Sequence, residues 1–464
     1  MPTFATTRQR LRAFWLNRTP PEIFVGSFLL LIGLGTLGLL TLPGLYTGPG
    51  LSVLDALFTA TSAVCVTGLI VVDTATYFTP WGQAFILLLI QLGGLGIITF
   101  TSYILMTLGV RMPLHHEALS RRPADIAPHV DYTSLGRTVV QFTLAIELVG
   151  AALLYLLWMP ELGSLAALGH AVFHAVSAFC NAGFSTFTTS LMAFQQAPLT
   201  LGVVMALIVV GGIGFLTIEE LNLMRTRDRR LRLSLHSQIV LTVTAVLLAG
   251  GWGAYLLFEW QVSLAGLPLL DKLTNSLFMS VTARTAGFNT VDYGHVADST
   301  NFLTILLMSI GGSPSSTAGG FKTTTIAIIG LLAWARMRGY RATSFRDRSI
   351  PDETVQRAVG LFVVAFGFVT ASIFLYTTTE LAWLDPDQAP GRFLQYMFEA
   401  VSAFNTVGLS MGVTGELSDF GRSLTILLMF VGRVGPLTFA AALFQRRKHA
   451  TRPFRYAYED VAIG

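Results

Sequence analysis

The sequence predicts an all-α membrane protein made of four pseudo-symmetric repeats with eight transmembrane helices. Three observations carry that expectation. Of the 464 residues, 53% are hydrophobic and only 12% are charged, roughly half the charge of an ordinary soluble domain. A short segment recurs four times, at Thr61–Leu69, Val176–Phe184, Val281–Phe288 and Val401–Leu409. Long apolar segments fall in pairs on either side of each recurrence, and about 20 such residues are needed to cross a bilayer.

Each recurrence opens with Ser-Ala or Thr-Ala and reaches a glycine, Gly68, Gly183, Gly287 or Gly408, followed by a large apolar residue. A period of roughly a quarter of the chain means repeated domains, not a solenoid array. Residues 1–20 form a basic cytoplasmic arm, with Arg8, Arg10, Arg12 and Arg18 ahead of the first apolar run. No small-residue cleavage site ends a short apolar core there, so a cleaved signal peptide is the weaker reading.

Repeat 1 occupies 21–110, with spans near 23–42 and 84–106 around a shorter apolar run at 53–66. Repeat 2, with the cytoplasmic connection before it, occupies 111–232, with spans near 138–158 and 199–221 around 167–179. Repeat 3 occupies 233–340, with spans near 239–258 and 303–334 around 272–283, and carries an intramembrane loop at 311–322. Repeat 4 occupies 341–445, with spans near 359–376 and 424–444 around 393–404, and 446–464 is a cytoplasmic tail. The intermediate runs are too short to cross and read as re-entrant half-helices. Each repeat is therefore span, pore helix, loop, span, set around one central pore.

The second spans check this register. Each has a glycine-rich break 24 to 28 residues beyond its loop glycine, at Gly93–Gly96, Gly211–Gly214, Gly311–Pro314 and Gly432–Gly435. Two separate motifs thus keep one phase. The third copy departs twice, with a loop one residue shorter and a long interruption at Gly311–Gly320.

All but six of the 30 Lys and Arg lie in the termini or inter-repeat connections, the six being Lys272, Arg284, Lys322, Arg392, Arg422 and Arg433. The positive-inside rule then places both termini and the connections in the cytoplasm, with the loops entering from outside. The net charge of +4 reflects these basic segments beside membrane lipid, and no nucleic-acid partner is expected. The opposite face carries Asp55, Asp73, Asp271, Asp292, Asp385, Asp387 and Asp419. They read either as a vestibule that concentrates cations or as an ordinary solvated surface. Cys65 and Cys180 occupy equivalent positions and read as small packing residues, with no disulfide framework.

Non-helical backbone at membrane depth requires burial in protein or a wet cavity. Four similar loops around one axis can turn carbonyl oxygens inward and replace the water around a dehydrated cation. Glycine tolerates the backbone angles such a ladder needs. The loops therefore read as a cation selectivity filter.

At these residues the chain resembles the Trk/Ktr/HKT superfamily of cation transporters over nearly its whole length. The likeness rests on the four loops, on Gly93–Gly96 and on the run Gly311–Lys322. With no extra N-terminal spans, it is nearest the KtrB-type bacterial branch. The resemblance implies potassium uptake across a bacterial plasma membrane by a homodimer, each chain with its own pore. It also implies docking on a cytoplasmic ring of nucleotide-binding KtrA-type subunits that sense ATP or ADP, and a dependence on sodium ion. The chain itself has no dinucleotide fingerprint, and no organic cofactor is expected.

In plant relatives a serine at the first filter glycine accompanies sodium preference. Glycine at all four positions here favours potassium, with a sodium-permeable or poorly selective transporter as the alternative. The expected potassium-binding carbonyls belong to Val66, Thr67, Gly68, Asn181, Ala182, Gly183, Thr285, Ala286, Gly287, Asn405, Thr406 and Gly408.

The interruption formed by Gly311, Gly312, Ser313, Pro314, Ser315, Ser316, Thr317, Ala318, Gly319, Gly320 and, past Phe321, Lys322 reads as a gate below the filter, matching the superfamily's intramembrane loop. A Gly/Ser-rich helix that merely packs closely is the alternative. Arg433, alone within an apolar span, should face the pore or a partner, because an unpaired arginine in lipid is costly. It is expected to narrow the cavity under the filter and repel a resting cation. Glu399 and Arg284 are expected to be buried near the filter, paired with each other or in structural or interchain bridges.

An enzyme is the competing class. His170 and His174 lie one helical turn apart, a metal-ligand spacing, and Ser177 is nearby, yet the other copies have no ligands at equivalent positions. Packing histidines account for them, and no catalytic residue is expected. A membrane scaffold would leave the four glycine loops without purpose.

Overall fold

A computed structural model describes residues 20–107, 132–226, 233–381, 391–436 and 438 of the chain. The arm with Arg8, Arg10, Arg12 and Arg18, the basic residues Arg227, Arg229, Arg230 and Arg232, the acids Asp385 and Asp387, and the 446–464 tail lie outside the described residues.

The described chain is mostly helical. Helix α1 (Pro20–Thr41) is followed by α2 (Val53–Val64) and α3 (Pro80–Thr107), and α4 (Tyr132–Leu162) by α5 (Ser164–Phe179), α6 (Pro198–Ile213) and α7 (Phe215–Thr226). The second half contains α8 (Leu235–Glu259), α9 (Leu269–Thr282), α10 (Asp298–Ser309), α11 (Thr323–Met337), α12 (Asp352–Thr379), α13 (Arg392–Phe404) and α14 (Asp419–Val434). A small hairpin pairs Ser344–Phe345 with Arg348–Ser349 between α11 and α12.

Among the described residues, four helices are long and apolar enough to cross a membrane: 21–41 of α1, 138–162 of α4, α8 and α12. At most 28% of any of their most apolar windows is buried. Leu148 and Leu156 of α4 stand 72% and 65% exposed. A helix that is apolar all round yet uncovered by protein is solvated by lipid. The protein is a multi-pass membrane protein.

The second apolar segments are shorter or broken. The stretch near 199–221, expected as one straight span, bends by 97° between α6 and 215–224. The stretch near 303–334 is split into α10 and α11 around 311–322. By contrast, Gly93–Gly96 does not break α3, which runs on to Thr107.

The reason lies in what the first glycine of the motif does. A Cβ at Gly93 would overlap the carbonyl oxygen of Val64, one at Gly211 that of Phe179, and one at Gly432 that of Phe404. These carbonyls end α2, α5 and α13. The glycine is therefore a site of close helix approach, and a break follows only where later residues impose one. Gly432→Ala should destabilise the protein by about 1–3 kcal/mol, the usual range for overpacking. Gly250→Ala in α8, where a Cβ meets nothing within 4 Å, should not. Thermal unfolding in detergent would show a fall in midpoint for the first variant only.

The half-helices α2, α5, α9 and α13 are buried along their C-terminal turns, for example from Thr59 through Val64 in α2 and Phe398 through Phe404 in α13. They are the centre of the molecule. The helix after each loop packs against the half-helix of the next copy: α3 on α5, α6 on α9, α10 on α13 and α14 on α2. The circuit is closed. An ion pair of 2.8 Å between Arg422 and Asp55 ties the last copy to the first.

Copies three and four also repeat individual bonds. The Tyr255 and Thr304 hydroxyls lie 2.7 Å apart, and those of Tyr376 and Thr425 lie 2.6 Å apart, 49 residues apart in each case. Glu259 accepts from the Ala297 amide as Glu380 accepts from the Ser418 amide, both at 3.1 Å. A buried carboxylate thus receives the amide at the N-terminal end of the following helix in both copies, where the helix dipole is positive.

Candidate functional site

The four glycine loops hang from the C-terminal ends of α2, α5, α9 and α13. Each is fastened to its own half-helix. The Ser62 hydroxyl donates to the Leu69 carbonyl at 2.7 Å and accepts from the Gly68 amide at 3.1 Å. Ser177 donates to Phe184 at 2.8 Å, Thr282 to Phe288 at 2.5 Å, and Ser402 accepts from the Gly408 amide at 3.1 Å. The Ser-Ala or Thr-Ala signature is therefore the clasp of the loop. Ser177 is used in this clasp.

Within each loop a left-handed residue precedes the left-handed glycine by two positions. Val66, Asn181, Thr285 and Thr406 have φ of +56°, +58°, +71° and +48°, and Gly68, Gly183, Gly287 and Gly408 have +92°, +71°, +82° and +92°. Such angles cost an L-residue roughly 1–2 kcal/mol and persist only where surroundings over-determine them. The one-residue deletion in the third copy is taken up before this pair, since the Ala286 amide reaches Thr282 where the Thr67 amide reaches Ser62.

The loops meet one another in cyclic order. A Cβ at Gly68 would collide with the Ala182 carbonyl oxygen, one at Gly183 with that of Ala286, one at Gly287 with that of Val407, and one at Gly408 with that of Thr67. The ring brings Val66, Thr67 and Gly68, Asn181, Ala182 and Gly183, Thr285, Ala286 and Gly287, and Thr406 and Gly408 together. Asn405, by contrast, caps α13 at the position of Cys65 and Cys180, and Val407 holds the middle place of the fourth loop. Val407 was not among the expected carbonyls. Aligning the four glycines without a gap would have found it.

None of the residues from Val66 to Gly68, Asn181 to Gly183, Thr285 to Gly287 or Thr406 to Gly408 is a carboxylate. The hydroxyls of Thr67, Thr285 and Thr406 are buried without a hydrogen-bond partner.

The 311–322 segment lies against the ring. The Thr317 hydroxyl donates to the Phe179 carbonyl at 3.0 Å, and the Thr317 and Ser313 amides donate to Gly211 and Gly212. The Asn181 side-chain amide is 3.4 Å from the Thr317 hydroxyl. Gly319 abuts Thr406 and the Asn405 carbonyl, and Gly320 abuts the Asn405 side chain. Asn405 is thus a contact of the loop, not a member of the ring.

Three cationic side chains grip the segment, Arg433 and Arg284 from outside it and Lys322 from its own end. Arg433 Nη1 donates to Thr317 O at 2.5 Å, Lys322 Nζ to Ala318 O at 2.6 Å and Arg284 Nη2 to Gly311 O at 3.1 Å. The pairing of Arg284 with Glu399 is not formed. Glu399 instead accepts from the Ser410 and Thr414 hydroxyls at 2.9 and 2.5 Å, in the chain beyond the fourth loop. Its partners lie too far along the chain for spacing to reveal them.

Three of the acids expected on the outer face are engaged. Asp55 pairs with Arg422, Asp73 accepts from the Ala75 amide and Asp292 from the Gly294 amide. Glu147 was overlooked in the sequence. It is buried on α4, accepts from the Gln91 amide at 3.0 Å and lies 3.8 Å from Cys180 Sγ, directly behind the second loop. Cys65 and Cys180 are buried and free.

The histidines do not form a metal site. His174 contacts the His170 carbonyl through Nδ1 at 2.8 Å and Ser185 through Nε2 at 2.9 Å, so both nitrogens are occupied. The two rings stack on Phe187 with centroids 4.9 and 4.6 Å away. Among the described residues, no group of three His, Cys, Asp or Glu could hold a metal ion.

The TrkH family profile, described as "Cation transport protein", matches residues 19–449. The chain is 40% identical over 453 residues to the Ktr system potassium uptake protein B of Bacillus subtilis, covering 97% of this chain and 98% of that protein. It is 35% identical to the potassium/sodium uptake protein NtpJ of Enterococcus hirae, covering 96% and 97%. The crystal structure of the potassium transporter TrkH from Vibrio parahaemolyticus superposes with a TM-score of 0.74, covering 93% of this chain and 86% of that one at 18% identity, which establishes the shared fold. These are transporters, not enzymes, and the chain belongs to the TrkH family of cation transport proteins.

Proposed function

We propose that the chain takes up potassium through a pore whose selectivity filter is the ring of four glycine loops. The observation that carries this reading is the cyclic contact of those loops, each with the same alternation of left-handed residues. Neutral carbonyl dipoles bind a monovalent cation firmly enough to admit it and weakly enough to release it. The second segments complete eight crossings in four repeats, and membrane voltage, about 2.3 kcal/mol per charge per 100 mV, drives the ion inward.

In this reading the 311–322 segment, held by Arg433, is the gate. Opening moves the loop off the carbonyls of Phe179 and Asn405. By likeness to the Ktr proteins, the chain works as a homodimer in a bacterial plasma membrane, with both termini cytoplasmic. A nucleotide-binding KtrA-type ring there biases the loop. Sodium enters either as a regulator or, as the name of the Enterococcus relative suggests, as a second permeant ion.

The test is cation flux into liposomes holding the purified chain under an imposed voltage. Potassium and rubidium should exceed sodium and lithium by at least about tenfold, a discrimination of ~1.4 kcal/mol. Equal flux of all four ions would remove the selective filter and favour the sodium-permeable reading.

A further inference from the structure

A cavity lies beside the 311–322 segment. The cavity is about 350 Å³ in volume. Its lining includes Arg433, Lys322 and the loop serines Ser315 and Ser316 together with Phe24, Phe321, Leu361 and Ala365. Such a volume lies within the range of roughly 300–1,000 Å³ typical of small-molecule sites.

Arg433 is only 5% exposed. One of its nitrogens reaches Thr317, while Nε and Nη2 are buried with no partner. Lys322 uses one donor on Ala318. Among the described residues, neither cation forms an ion pair with a carboxylate. Helix α11 starts at the next residue without a side-chain cap, so the positive end of its dipole adds to the same wall. A buried arginine beside a half-buried lysine, with no carboxylate partner among the described residues, is costly unless something supplies a counter-charge.

Guanidinium and ammonium together fit an oxyanion, and the guanidinium fork matches phosphate geometry in particular. The apolar walls fit a tail attached to it. We propose that this cavity is a binding site for a phosphate-class oxyanion, supplied by an anionic phospholipid headgroup or by free inorganic phosphate. Its occupancy neutralises Arg433 and Lys322 and draws the guanidinium from Thr317, which eases conduction. That consequence rests on the gating reading above, whereas the binding does not.

The test measures binding and flux separately, on the full chain. Purified protein is exchanged into nanodiscs of phosphatidylglycerol or phosphatidylcholine, and retained lipid is counted by native mass spectrometry. A parallel titration with inorganic phosphate is followed by calorimetry in detergent. Phosphatidylglycerol should be retained at least tenfold better than phosphatidylcholine, and lost in both Arg433→Gln and Leu361→Trp, the second of which fills the cavity and leaves the cations in place. Phosphate binding that is lost in Arg433→Gln, without lipid retention, would keep the oxyanion site and assign it the free ion. Binding of neither, or binding indifferent to both variants, overturns the inference. A flux increase in Arg433→Gln together with no binding by the parent chain would leave the gate standing and remove only the anion.

Discussion

Gly68→Ser is expected to lower potassium-over-sodium selectivity at least tenfold, with the chain still inserted in the membrane. At φ +92° an L-residue is strained, by roughly 1–2 kcal/mol. Its Cβ would also strike the Ala182 carbonyl oxygen and lie 3.1 Å from the Gly183 Cα. Both obstacles are backbone, so neither can swing aside. The second loop must shift, and the carbonyl that shifts is one of those proposed to face the ion. A tenfold loss requires only ~1.4 kcal/mol of differential binding, less than the strain and overlap introduced. Flux in liposomes under voltage reads the ratio, and Gly250→Ser, in open space on α8, is the control. A ratio unchanged by Gly68→Ser and likewise by Gly408→Ser, whose Cβ would meet Thr67, would sink the filter assignment.

Arg433→Ala should raise potassium flux about tenfold or more. The side chain is buried and its hydrogen bond of 2.5 Å to Thr317 fastens the middle of the 311–322 segment. Two effects act in one direction. A cation passing about 8 Å from an uncompensated guanidinium, at an effective dielectric near 20, meets ~2 kcal/mol of repulsion, which is ~30-fold in rate. Removing the donor also frees the loop from one of its three cationic anchors. Arg433→Lys keeps the charge and should retain most of the restriction, while Arg433→Gln keeps a donor without the charge. Comparing the two separates repulsion from anchoring. Flux equal to the parent in all three variants would mean that neither the arginine nor the loop it holds limits conduction.

The repeat was legible because four copies of one motif keep register with four copies of another. The four long crossings were legible because apolar runs longer than about 17 residues have few alternatives to a span. The bend at Gly214, the unbroken course of α3 and the place of Val407 were not. Each depends on which backbone lies opposite. Glycine at Gly93 and at Gly214 looks alike in sequence, yet one meets the Val64 carbonyl inside a helix and the other has φ +93° at a 97° turn.

The buried charges divide in the same way. Composition could mark Arg284, Lys322, Glu399 and Arg433 as unusual, since charge at membrane depth is expensive. It could not assign their partners, because the groups they touch are backbone carbonyls and hydroxyls, which every segment offers. The sequence by itself determined the membrane class, the fourfold repetition and the residues of the glycine loops, since these are encoded in hydropathy and in local motifs. Only the tertiary structure decided that the loops close into a ring, that Arg433 grips Thr317 and that Glu399 and Arg284 stay apart. The first two outcomes follow from contacts between segments more than a hundred residues apart, and the third from contacts 11 to 27 residues apart, where no local propensity reaches.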